Sequence, residues 1–158
     1  MSQIFHLVEV NIARMHAPLD HPIMADFAAQ LDHFNSMAEA SPGFVWRLKT
    51  DEGDATSIRV YDDERIIVNL TMWESIETLF AFSFRTQHSK LISRRKEWFE
   101  RLDTPYLALW WIEAGQIPTA EEAKARLDHL HLNGSTAYAF TFKTQFPMPQ
   151  VPKPKMPK

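Results

Sequence analysis

The chain has 158 residues, of which 45% are hydrophobic, 12% aromatic and 23% charged, and its net charge is −3. These values predict one globular domain with a proper core and no nucleic-acid partner. No apolar stretch approaches the ~20 residues that span a bilayer, and the absence of cysteine excludes disulfides, iron–sulfur clusters and thiol catalysis. A cytoplasmic protein without membrane contact is therefore predicted.

The first half of the chain predicts three strands and one helix. Residues 4–12 alternate as a strand, and residues 20–40 repeat apolar side chains at helical spacing. A second strand is predicted at 44–49, a polar surface loop at 50–65, and a third strand at 66–73.

The second half predicts a split helix and a fourth strand. Ser75 suits the N-cap of a helix that is interrupted at 86–88 and resumes from about 89 to 102. Residues 106–114 form the fourth predicted strand.

The segment after this strand predicts a further helix. Thr119 and Glu122 form a capping-box pattern at its start, and Gly134 suits its end. One apolar face is predicted from Ala123, Leu127 and Leu130. A short strand is predicted at 137–142, and the Pro- and Lys-rich tail, 144–158, favours polyproline II or disorder.

The order β-α-β-β-α-β predicts an α+β fold, with a ferredoxin-like antiparallel sheet and helices on one face, over residues 1–143. The opposite face of such a sheet would be bare. Leu7, Trp73 and either Trp110 or Trp111 would then be exposed on it. Because a monomer rarely exposes so much aromatic surface, a homodimer is predicted in which two sheets face each other.

The third strand has one apolar face and one polar face. Ile66, Val68, Leu70 and Met72 alternate with a second set, Ile67, Asn69, Thr71 and Trp73. The apolar set is predicted to lie against helices. The second set is predicted to face away from them, into a cavity between the two sheets of the dimer.

Five blocks of the sequence resemble a bacterial family that is described as domain of unknown function 3291. They are "NIARM", "SPGFVWRLKTDEGDA", "VNLTMWESIETLFAF", "HSKLISRRKEWFE" and "LALWWIEAG". The resemblance covers about residues 3–143 and implies the dimeric α/β-barrel fold, in which two ferredoxin-like sheets face each other. It implies no reaction.

A strand that ends in Trp-Glu-Ser and enters a helix is also similar to the antibiotic biosynthesis monooxygenases. Those enzymes oxidise activated aromatic polyketides with dioxygen and without flavin, metal or haem. The resemblance implies that Asn69, Trp73 and Asn11 are catalytic, with no cofactor and a small aromatic substrate.

Glu9 shares a strand face with Asn11, which predicts a general base if burial raises its pKa. Pairing of Glu9 with Arg47 across the sheet is the alternative. Further substrate contacts are predicted for Trp46, Arg47, Thr71, Phe82, Trp111 and His88.

His88 follows the predicted helix break, and the resemblance implies a substrate contact or, in haem-binding branches, an iron ligand. A histidine that caps a helix C-terminus is the competing interpretation. Two functions therefore remain open from the sequence. One is a monooxygenase-like enzyme, or a cyclase or isomerase, acting on an aromatic compound, and the other is a non-catalytic module that binds haem or a hydrophobic metabolite.

Overall fold

A five-stranded antiparallel sheet lies between helices in the computed structural model, which describes residues 4–49, 60–85 and 94–149. The strands are β1 (Phe5–Met15), β2 (Phe44–Arg47), β3 (Ile66–Trp73), β4 (Phe99–Glu100) and β5 (Leu107–Glu113). The helices are α1 (Ala25–Glu39), α2 (Ile76–Arg85), α3 (Arg95–Trp98) and α4 (Ala120–Asn133), with a 3₁₀ turn at Pro22–Met24 before α1.

The long strand β1 is the centre of the sheet. It pairs with β3 along one edge, and with β5 and then β4 along the other, while β2 pairs with the far edge of β3. All of these pairings are antiparallel. The predicted α+β class and ferredoxin-like order of elements are confirmed.

Each face of the sheet packs against its own helices. The side chains of Val10 and Leu70 lie on one face and pack in a cluster with Leu127 of α4. Leu7 and Trp73 lie on the other face. That second face packs against Ala38 of α1 and against Leu79 and Phe82 of α2.

The face predicted to be bare is therefore covered within the chain by α1 and α2. The apolar set of β3 does lie against a helix, as predicted, but that helix is α4. The prediction that Asn69 and Trp73 face away from the helices is wrong, since their face is the one that α1 and α2 cover. Strand alternation decides which residues share a face, but the packing of distant helices decides what each face meets.

The aromatic residues that predicted a dimer need no second subunit to cover them. Leu7, Trp73 and Trp110 are all fully buried inside a single chain. They leave no exposed aromatic sheet face for a second sheet to cover. Dimerisation through the sheet stays a prediction, without the argument from exposed aromatic residues.

Two local predictions need correction. The helical piece expected to reach residue 102 ends at Trp98, because the next two residues form β4. They pair with the end of β1, which extends to Met15. The strand expected at 137–142 is reduced to isolated bridges, one of them between Leu109 and Phe140. The surface loop was predicted at 50–65, and its described part, 60–65, forms no strand. The rest of that loop, the helix break predicted at 86–88 and the start of the second helical piece, 89–93, lie outside the described residues.

The predicted helix caps are confirmed. The Oγ of Ser75 accepts a hydrogen bond from the backbone N–H of Thr78 (3.1 Å), and the Oγ1 of Thr119 accepts one from Glu122 (3.0 Å). Each bond satisfies a backbone donor that the first helical turn leaves unpaired. Gly134, with φ of 74°, follows the last residue of α4.

The chain packs beyond residue 143, where the tail was predicted to begin. Phe146 packs beside the cluster that contains Trp73, and its carbonyl accepts a hydrogen bond from Trp111 Nε1 (2.9 Å). Residues 150–158 lie outside the described part. Among the helices of the described ranges, none is long and apolar enough to cross a membrane.

Replacement of Gly43 by alanine is expected to destabilise the fold by about 2–4 kcal/mol. Gly43 has φ of +83°, and an added Cβ would overlap the side chain of Thr78 at the start of α2. Gly115→Ala is the matched control, because Gly115 has φ of +96° but open space around it, so only backbone strain of about 1 kcal/mol is expected. Chemical denaturation measures both values, and equal losses would contradict the steric argument.

Candidate functional site

A cavity of about 330 Å³ lies between the sheet and helices α1 and α2. Its volume is at the small end of the range for sites that bind small organic molecules. Most of the wall is apolar, with aromatic rings from Phe27, Phe34, Phe82 and Phe99. The polar side chains are Glu9, Asn11, Asn35, Arg47, Asn69, Thr71, Ser83, Arg95 and Tyr106.

Glu9 is the buried carboxyl group of this wall. Asn11 Nδ2 donates a hydrogen bond to its Oε1 (2.5 Å), and Thr71 Oγ1 donates one to its Oε2 (3.0 Å). Trp73 Nε1 in turn donates to Thr71 Oγ1 (2.9 Å). Pairing of β1 with β3 creates this network, because Glu9 stands opposite Thr71 in the register.

Burial raises the pKa of the Glu9 carboxyl above its ordinary value of 4.5. The hydrogen bonds from Asn11 and Thr71 favour the charged form and oppose this shift, but desolvation is the larger effect. A carboxylate with a raised pKa holds a proton more strongly than an ordinary glutamate does. Glu9 is therefore suited to accept a proton from a weakly acidic ligand in the cavity.

The raised pKa predicts a pH-dependent contribution of Glu9 to stability. Since the folded pKa lies above the unfolded one, the native state binds the proton more tightly. The stabilisation is fully present below pH 4.5, the ordinary value, and is lost as pH rises through the raised pKa. As pH rises over that interval, the free energy of unfolding of the Glu9→Gln variant is expected to increase relative to that of the wild type, because glutamine does not titrate. Denaturation curves across pH measure the difference, and a constant difference would contradict a raised pKa.

Asn69 lies across the strand pair from Asn11 and lines the same cavity. The two amides differ in their surroundings. The Asn11 amide is half-buried and donates to Glu9, whereas Asn69 is exposed to solvent. Asn69 is therefore the amide that is accessible to a ligand, while Asn11 holds Glu9 in position.

Trp73 borders the cavity but is fully buried in the protein core. Its ring stacks on Phe82, with centroids 5.1 Å apart, and meets Phe44 edge to face at 5.5 Å. Neighbouring side chains thus occupy much of its ring surface. We interpret its main contribution as the wall of the cavity and the hydrogen bond to Thr71.

The further predicted contacts divide into three groups. Arg47, Thr71 and Phe82 line the cavity, and Arg47 Nε pairs with Glu39 Oε1 at 2.7 Å. Trp46 and Trp111 lie elsewhere, and His88 is outside the described residues.

The two misplaced tryptophans have separate causes. A register shift between Phe44 and Trp46 aligns Trp46 with Met72, which turns Trp46 to the α4 side of the sheet. Trp111 shares the face of Leu7, but its indole N–H is bound by the Phe146 carbonyl. Neither position follows from strand alternation alone.

Sequence reasoning missed four polar residues of the cavity, which are Asn35, Ser83, Arg95 and Tyr106. Asn35 lies one turn after Leu31 on α1, beside the apolar stripe of that helix. A polar residue in this position could have indicated that part of the helix faces a cavity. No comparable pattern marks Arg95, because it lies in a run of three basic residues, 94–96, which is typical of a solvated helix face.

The fold and cavity define a class of protein: an antiparallel α+β sheet protein with a buried carboxyl in an aromatic cavity. The chain belongs to the family described as domain of unknown function 3291, whose family model matches residues 6–156. No curated protein and no solved structure matches the chain.

Proposed function

We propose that the protein is an enzyme that oxidises a small, acidic, electron-rich aromatic with dioxygen, without a tightly bound cofactor. The observation that carries this proposal is Glu9, a buried carboxyl with a raised pKa on the wall of an aromatic cavity. The site lies between the sheet and helices α1 and α2, rather than between two sheets as the sequence suggested.

In the proposed reaction, the Glu9 carboxylate takes a proton from an acidic ring carbon of the substrate. The carbanion passes one electron to dioxygen, and recombination of the two radicals forms a carbon–oxygen bond. The peroxide takes up a proton and then loses water, which leaves a carbonyl group. One oxygen atom ends in the product and the other in water, so the reaction needs no external reductant.

The side chains around Glu9 have separate roles in this scheme. Asn69 is placed to donate its amide N–H to the substrate oxygen on which negative charge develops. Asn11 and Thr71 orient the carboxyl, and the Trp73 hydrogen bond orients Thr71 in turn. The phenylalanine rings of the wall exclude water and provide surface for a planar ligand.

A non-catalytic module that binds a hydrophobic metabolite is the second candidate. It is favoured by the engagement of Asn11 and Trp73 in hydrogen bonds within the protein. The haem version of this candidate has weaker support, since no His or Met side chain is in the described part of the cavity lining. A Soret band after haem titration would support it.

Homodimerisation and a cytoplasmic location also remain proposals. The resemblance to dimeric α/β-barrel proteins supports the dimer. The absence of cysteine is compatible with a reducing compartment and supports the location.

The proposed function is tested by dioxygen uptake with dithranol, a dihydroxyanthrone with an acidic ring carbon. The purified protein is incubated with a metal chelator and without flavin. We expect uptake above the uncatalysed rate, matched by formation of the quinone. Activity that arises only with added haem, flavin or metal would contradict the mechanism, and saturable binding without any uptake would favour the binding module.

A further inference from the structure

Arg95 differs from the adjacent Arg94 in having no acidic partner among the residues that the structure describes. Its guanidinium lies over the ring of Tyr106, 4.7 Å from the ring centroid, and both side chains line the cavity. Among the described residues, no carboxylate lies within ion-pair distance of Arg95. By contrast, Arg94 pairs with Asp26 and Glu97.

An unpaired guanidinium at an apolar cavity favours an anionic ligand group. The planar fork of arginine donates two parallel hydrogen bonds to a carboxylate. The ring of Tyr106 holds the guanidinium from one side and leaves its N–H edge available. Since Tyr106 is partly exposed and Arg95 is half-buried, the charge stays partly hydrated before a ligand binds.

The position of Tyr106 relative to Glu9 sets the length of such a ligand. The Tyr106 carbonyl accepts a hydrogen bond from the backbone N–H of Ile12 (2.9 Å), three residues along β1 from Glu9. At the rise of an extended strand, the backbone positions of Glu9 and Ile12 are about 10 Å apart. A fused aromatic of two or three rings spans that distance.

We propose that the cavity takes an aromatic carboxylate, with its carboxylate bound by Arg95 and its reacting ring carbon near Glu9. This inference rests on the proposed function, because it names the class of aromatic that the enzyme would bind. Arg95 would determine specificity and orientation, and the proton transfer would remain with Glu9.

The test compares naphthoate with naphthamide, a neutral analogue of nearly the same shape, by isothermal titration calorimetry. The wild-type protein is expected to bind naphthoate roughly tenfold more tightly, the low end for a hydrogen-bonded charge because the site is partly hydrated. Arg95→Met is expected to lose this preference. Arg94→Met is the matched control and should keep it, since Arg94 lies outside the cavity lining.

Each outcome bears on the inference. Equal affinities for the two ligands in the wild type would overturn it, and this comparison requires no variant to fold. A preference that persists in Arg95→Met, or no binding of either ligand, would also overturn it. An Arg95-dependent preference for naphthoate, together with no dioxygen uptake in the dithranol assay, would keep the carboxylate site and overturn the proposed oxidation instead.

Discussion

Replacing Glu9 by glutamine is expected to lower turnover of an acidic aromatic by ~10²- to 10⁴-fold, the range for loss of a general base. Glutamine has nearly the same shape, but its amide has no basic oxygen that can take a proton. Binding should change little, because the cavity keeps its aromatic walls. Steady-state dioxygen uptake with dithranol measures kcat and KM separately.

Glu100→Gln is the matched control for this substitution. Glu100 is a glutamate of the same sheet that pairs with Arg65 outside the cavity lining. Its loss should leave turnover unchanged. Turnover in Glu9→Gln within a factor of a few of the wild type would remove Glu9 from the chemistry and leave the fold unaffected.

Replacing Asn69 by alanine is expected to lower kcat by ~10²-fold, the low end for removal of an oxyanion donor. KM should change less, since the amide would interact most strongly with the charge that develops in the transition state. Asn69 is solvent-exposed, so its replacement should cost little stability. Kinetics and a thermal melt on the same preparation separate the two effects.

Asn133→Ala is the corresponding control. Asn133 bonds to His129 at the end of α4 and lies outside the cavity lining. An equal fall of kcat in both variants would indicate a general structural effect. Unchanged kcat in Asn69→Ala would remove the amide from the mechanism while leaving Glu9 as the base.

Local patterns were sufficient to predict most elements of the fold. Strand β3 has the predicted bounds, 66–73, because its alternation is regular and Ser75 caps the helix that follows. Helix α4 was likewise recognisable from its capping box and the apolar face that ends at Leu130. Strand β4 was missed, because two residues carry no periodic signal and pair only where β1 extends past its predicted end.

The candidate site was predicted in part, for a physical reason. Alternation put Glu9 and Asn11 on one face, and antiparallel pairing aligned them with Thr71 and Asn69. What covers that face depends on contacts between elements distant in the sequence, and these contacts placed α4 on the opposite side. Arg95 was missed because its contact with Tyr106 depends on the same kind of tertiary packing.

The central claim is that Glu9 takes a proton from a carbon acid bound in the cavity. Its most direct test is hydrogen–deuterium exchange at the acidic carbon of dithranol, measured by NMR in heavy water without dioxygen. Under these conditions the proton transfer is observed without the oxidation. The account predicts exchange that is faster with wild-type protein than in buffer, and that falls to the buffer rate with Glu9→Gln. Exchange that is equally fast with both proteins would contradict it.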